Sequence, residues 1–192
     1  MLTVILVRPG ATSFDDDGRI KGTLELPLSN SGMVQAEKTA VELAELPIEC
    51  LYVAPCMSAQ QTANVLSERC GWKIKTIDGF KNLDQGLWQG KRIEEVRRQL
   101  PKVYRQYQEN PGTVCPPGGE TLDTAEERAK KGLARLLKKH RQGVIGLVVP
   151  EPMASVVKRI LSSTQVGDLW KSCCDDGHWD TIQVAQGHLV LA

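Results

Sequence analysis

The chain has 192 residues, enough for one domain with a sizeable buried core. Hydrophobic residues make up 41% and charged residues 24%, and the formal net charge of +1 gives no bulk field to attract nucleic acid or an anionic membrane. Apolar runs stop at about six residues, far short of the roughly 20 that span a bilayer. Six cysteines (Cys50, Cys56, Cys70, Cys115, Cys173, Cys174) show neither a disulfide framework nor zinc spacing, so no metal or other cofactor is expected. The first apolar run starts at residue 2 without a basic start or a small-residue cleavage site. No signal peptide is expected, and free thiols suit a reducing cytoplasm.

Leu2-Thr3-Val4-Ile5-Leu6-Val7 is uncharged and largely β-branched, as in a strand buried on both faces of a parallel sheet. Arg8-Pro9-Gly10-Ala11-Thr12 ends it at the strand's carboxyl end, where open α/β sheets place their ligands. Asp15-Asp16-Asp17-Gly18 reads as a solvated turn. Asn30-Ser31-Gly32 signals a helix start, and a helix over about Met33 to Leu46 would put Met33, Ala36, Ala40 and Leu43 on one face. A second strand around Cys50–Val53 ends at Ala54-Pro55, after which Cys56, Ala59, Ala63 and Leu66 recur at helical spacing. Trp72–Ile77 alternates as an outer strand.

The segment Phe80–Glu120 is polar and carries two short helical patterns, around Arg92–Leu100 and Lys102–Gln108. A long amphipathic helix follows, with Leu122, Ala125, Ala129, Leu133 and Leu136 inward and a basic last turn that suits the helix dipole. Val144–Val149 is the second central strand. It breaks at Pro150-Glu151-Pro152 before a helix over about Met153–Leu161. Thr181–Val184 and His188–Leu191 suggest a closing hairpin about Gln186-Gly187. There is no internal repeat and no linker, and strand–helix alternation with two fully apolar strands indicates one α/β domain with a mainly parallel sheet.

Several of these stretches resemble the histidine phosphatase (phosphoglycerate-mutase-like) superfamily. Its signature loop reads Arg-His-Gly-Glu-Thr, and Arg8, Gly10 and Thr12 match it. Its Gly-x-x-Asp-x-Pro-Leu and Gly-x-x-Gln-Ala segments match Gly22, Pro27, Leu28, Gly32, Gln35 and Ala36, with Glu25 for the aspartate. Supporting residues Pro55, Ala59, Gln61, Thr62, Ala63, Trp88, Gly90, Gly118, Gly119, Glu120 and Arg128 also fit. The resemblance implies a three-layer α/β/α sandwich over residues 1–192, with a mixed, mostly parallel sheet of about six strands and one antiparallel edge strand. It also implies that residues 80–120 cap a pocket over the strands' carboxyl ends.

Active members transfer a phosphoryl group through a phosphohistidine, which requires a nucleophilic imidazole, positive charge around the dianion and a positioned acid. On the resemblance, Pro9 stands at the nucleophile's position, Ser58 at the second arginine's, Asn82 at the acid's and Glu151 at the second histidine's. Only Arg8 keeps its residue, so no family catalytic set is intact. The expectation is a catalytically inactive member that binds a small molecule or a protein through Arg8, Thr12, Ser58, Glu120 and Glu151, as monomer or homodimer. The alternative is a divergent phosphatase or phosphomutase that acts on a phosphomonoester with non-standard residues.

A buried Arg8 needs a carboxylate, and Glu151 or Glu120 is the expected partner. Cys56, at a helix N-terminus, is the one residue whose thiolate could replace the lost chemistry, although a buried cysteine is more often a small hydrophobe. Cys173-Cys174-Asp175-Asp176-Gly177-His178 reads as a surface loop rather than a metal site. Asp84 is a weak candidate for a shifted acid. His140 and His188 stand alone as structural or exposed residues, and Lys130–Arg141 as the outer face of a helix.

Overall fold

The computed structural model describes residues 1–164, 167–172 and 176–184. Its sheet is built from β1 (Leu2–Val7), β2 (Ile48–Val53), β3 (Lys73–Thr76), β4 (Gly143–Val148) and β5 (Trp179–Val184) in the order β3-β2-β4-β1-β5. The first four strands are parallel and β5 pairs antiparallel to β1 at one edge. About six strands were expected and five are described. The second strand of the expected hairpin, His188–Leu191, lies outside the described residues, as do Gln186-Gly187, Cys173, Cys174 and Asp175.

The crossovers run through α2 (Asn30–Leu43), α3 (Met57–Cys70), α6 (Leu122–Lys139) and α7 (Met153–Ser162). From β1 the chain moves toward β3, then reverses toward β5. Right-handed connections therefore place α2 and α3 on one face and α6 on the other; α2 packs with α3, and α7, which leads to antiparallel β5, packs with α6. This is the three-layer α/β/α sandwich. The shorter helices α1 (Ser13–Asp16), α4 (Ile93–Gln99), α5 (Pro101–Glu109) and α8 (Leu169–Ser172) lie in the connections. Among the described residues no helix is long and apolar enough to cross a membrane.

Two expectations change at the residue level. The Ser29 side chain accepts from Gly32 N, so α2 starts at Asn30 and its buried face is Gly32, Ala36, Thr39, Ala40 and Leu43. Met33 lies about 100° round from Gly32 and is 38% exposed rather than inward. The aspartate run is solvated only in part: Asp16 and Asp17 are exposed, but Ser13–Asp16 forms α1 and the Asp15 side chain is only 5% exposed.

Register delivers the chemistry. β1 and β4 pair in step from Leu2↔Gly143 to Val7↔Val148, and β2 meets β4 at Val53↔Val148. All three strands end level, so Arg8-Pro9, Ala54-Pro55 and Val149-Pro150-Glu151 leave the sheet side by side. Val149 N donates to Val7 O and Ala54 N to Val148 O, which continues the ladder one step into these loops.

The loop after β1 lies flat against the start of α2. A Cβ on Gly10 would sit 2.1 Å from Gly32 O, and one on Gly32 would sit 1.9 Å from Ala11 O. Backbone faces backbone there, so neither position can relax by a rotamer change. Gly10→Ala and Gly32→Ala should each lower unfolding stability by about 2 kcal/mol or more, read from urea midpoints at unchanged slope.

Candidate active site

Arg8 is 5% exposed and cannot be left unpaired. Its Nε donates to Glu151 Oε1 at 3.0 Å, and its Nη1 donates to Asp180 Oδ2. Strand register explains both contacts. Glu151 lies three residues past Val148, the partner of Val7, and Asp180 pairs with Leu6 on the antiparallel edge strand. Glu151, rather than Glu120, is the expected carboxylate. Lys158 on α7 donates to Asp180 Oδ1 at 2.8 Å, and Ser155 N donates to Glu151 Oε2 at 3.1 Å. The result is a chain of alternating charge, Glu151–Arg8–Asp180–Lys158.

The two carboxylates differ. Burial pushes the Glu151 carboxyl above the usual range, against the pull of Arg8 and Ser155. Burial also raises Asp180, but hydrogen bonds from Lys158 and Arg8 outweigh it and hold this carboxyl below its ordinary value. For Arg8, burial favours the neutral form, and the two carboxylates more than compensate, so its pKa rises.

Asn82 joins this group from the polar segment. Its Nδ2 donates to Gly22 O at 2.9 Å and to Glu151 O at 3.0 Å, and its Oδ1 accepts from Met153 N at 3.4 Å. It fixes the backbone around Glu151 with a fully used amide. Ser58 is buried in the first turn of α3, where its hydroxyl lies 3.8 Å from Cys56 Sγ. Thr62 Oγ1 of the same helix accepts from Gly10 N at 3.1 Å, which ties α3 to the loop after β1. Pro9 is buried and its carbonyl accepts from Gly177 N at 2.9 Å.

Four other candidates have structural duties. Glu120 takes Asp84 N and Arg128 Nη2 on Oε1 and Arg128 Nε on Oε2, so it anchors the end of the polar segment rather than facing Arg8. Asp84 caps its own turn by accepting from Gly86 N at 2.9 Å. Cys56 is the N-cap residue of α3 without a side-chain cap bond, and burial pushes its thiol up despite hydrogen bonds from Ala59 and Ser58, in line with a small buried hydrophobe rather than a thiolate. His140 does not stand alone: its Nε2 is 2.7 Å from the Tyr52 hydroxyl, with Glu49 at 3.7 Å from Nδ1.

A second charged cluster sits beside the first. Thr12 donates to Asp15 Oδ2 through both N and Oγ1, while Asp15 Oδ1 lies 2.7 Å from Lys21 Nζ. The same ammonium lies 3.5 Å from Asp176, the neighbour of the Gly177 that binds Pro9. Asp180, Lys158, Lys21 and Asp176 were not singled out from the sequence. The one available signal was an aspartate-rich run followed closely by a lysine.

A family model for the histidine phosphatase superfamily (branch 1) matches residues 4–192, and the chain belongs to that superfamily. Phosphoserine phosphatase 1 of Hydrogenobacter thermophilus is 28% identical over 192 residues, covering 100% of this chain and 90% of the relative. The metal-independent phosphoserine phosphatase of Arabidopsis thaliana is 27% identical over 171 residues, covering 86% of this chain and 71% of the relative. A mycobacterial glucosyl-3-phosphoglycerate phosphatase in complex with VO3 superposes with TM-score 0.85 at 20% identity, covering 97% of this chain and 93% of the other, a likeness of fold. These findings overturn the expectation of an inactive protein, since relatives matched along most or all of the chain are named as phosphatases.

Burial, with Asp15 adding to it and Lys21 opposing it, raises the Asp176 carboxyl from 3.8 to about 6. The folded state then binds this proton more tightly than the unfolded chain. Asp176 therefore makes stability fall as pH rises between 3.8 and about 6. A 13C titration of the carboxyl carbons should show one aspartate with a midpoint near 6, absent in Asp176→Asn, and the variant should lose that slope in stability.

Proposed function

We propose that this chain is a phosphatase that hydrolyses a phosphomonoester with residues other than the usual set of its superfamily. The observation that carries this reading is the full-length match to a relative named phosphoserine phosphatase 1. The corresponding substrate class is a small hydroxyl compound with one phosphoryl group, phosphoserine among them. Residues 80–120 serve on this reading as the cover of the site, held by Asn82 between Gly22 and Glu151.

The geometry supports the reading through two groups. Arg8 supplies a cation at the carboxyl ends of the strands, held by Glu151 and Asp180, and a guanidinium is a strong donor to phosphoryl oxygens. Glu151 supplies a carboxyl whose neutral form burial favours, placed against Arg8. A water oxygen bonds to phosphorus, the ester P–O bond breaks and the leaving oxygen takes the Glu151 proton. The Glu151 carboxylate then recovers a proton from the attacking water, and the products are an alcohol and inorganic phosphate. Pro9 has no titratable or nucleophilic atom and serves only to shape the loop. Burial pushes the Cys56 thiol up, away from the thiolate that a nucleophile needs.

The charge balance fixes the pH dependence. A phosphoryl dianion approaching Arg8 meets Glu151 and Asp180, and it is repelled less when Glu151 is neutral. Both binding and proton donation therefore favour the protonated acid, and kcat/KM should decline as pH rises through the elevated Glu151 pKa. Glu151→Gln should abolish that decline and lower kcat about 100-fold, within the range for loss of a general acid. The primary measurement is turnover over a panel including phosphoserine and para-nitrophenyl phosphate. Arg8→Ala should reduce it about 100-fold. Equal rates for Arg8→Ala and the parent chain on every ester would refute the assignment.

A further inference from the structure

The solvent face of α2 carries an apolar pair separated by two opposite charges. Val34 and Val41 are 64% and 55% exposed, and Glu37 and Lys38 are exposed between them. Seven residues make two helical turns, so both valines and the charges share one stripe. Together with α3 the stripe walls a groove of about 910 Å³, lined also by Val65, Glu68 and Arg69. Met33, 38% exposed, widens the apolar area at one end.

Groove chemistry selects the occupant. Glu37 and Glu68 are matched by Lys38 and Arg69, so the surface has no net sign to draw a polyanion or a charged membrane. The stripe is antisymmetric about the midpoint between Glu37 and Lys38. Rotation by 180° about that midpoint carries Val34 onto Val41 and Glu37 onto Lys38. A second copy of α2 laid antiparallel therefore sets valine against valine and each charge against its opposite. A parallel copy would set Glu37 against Glu37 and Lys38 against Lys38, which is repulsive. This is the self-complementarity that a two-fold interface requires.

We propose that the α2 face joins two copies of this chain in a symmetric antiparallel homodimer, with Lys38 facing Glu37 of the partner subunit across a Val34–Val41 contact. Among the described residues Lys38 pairs with Glu42 of its own helix, at 3.7 Å with its side chain 77% exposed. Such an exposed pair contributes little and is readily exchanged for one across an interface. The interface lies on the outer surface of the α2–α3 layer and does not depend on the phosphatase assignment.

Sedimentation velocity on the whole chain over a dilution series tests it. A reversible monomer–dimer equilibrium is expected. Val41→Glu and Lys38→Glu should each raise the dissociation constant at least about tenfold, because each sets like or unpaired charge against the partner. The double variant Glu37→Lys/Lys38→Glu restores every cross-pair with sign reversed and should return the constant to within about threefold of the parent. Thermal melts of all variants should match the parent at the monomer level, since the positions are exposed. A monomer at every concentration, a dimer indifferent to Val41→Glu, or a double variant as weak as Lys38→Glu would each overturn the proposal.

Discussion

A guanidinium buried at the end of a parallel strand must be neutralised, and much of the local architecture answers that requirement. Arg8 follows β1 directly, so its position is fixed by the sheet and its partners have to come to it. β4 brings Glu151 because its register with β1 leaves the two strands level, and β5 brings Asp180 by running the opposite way. Removing one carboxylate from such a group leaves buried charge uncompensated, which costs about 3–5 kcal/mol in comparable pairs. The C-terminal edge strand is thus tied to the core through charge as well as through backbone pairing.

Much of the fold was legible because its signals are local. The uncharged runs at Leu2–Val7 and Val144–Val149 marked the two central strands, and the spacing of Leu122, Ala125, Ala129, Leu133 and Leu136 marked a helix on which all five are buried. The Arg8–Glu151 pair was also within reach, since two loops leaving adjacent parallel strands must meet. Asp180 was not, because nothing in the run Trp179–Val184 reveals which strand it borders or in which direction. Lys21 and Asp176 are more than 150 positions apart, and only tertiary structure shows that one ammonium serves two aspartates. Met33 misled for a simpler reason. A one-residue error in placing a helix face rotates it by about 100°.

Catalysis was misjudged from the sequence because loss was counted residue by residue. Pro9, Ser58, Asn82 and Glu151 were each compared with a role, and Glu151 was weighed as a partner for Arg8 but not for what burial does to its own carboxyl. Buried beside Arg8, Glu151 is a carboxyl displaced toward its neutral form, a property that residue identity alone does not carry. Asn82 braces the same residue through its backbone. The relatives named as phosphatases then give that environment a chemical context.

Helix α7 has a consequence beyond its part in the crossover. Ser155 N holds one oxygen of Glu151, and Lys158, one turn along, holds one oxygen of Asp180. The two carboxyl groups that flank Arg8 are therefore gripped by a single rigid rod, in which Val156 and Val157 are buried. A slide or tilt of this rod would move both jaws of the vice together rather than loosen one of them. Substitutions on the buried side of α7, out of reach of any substrate, are thereby wired to how tightly the arginine is gripped.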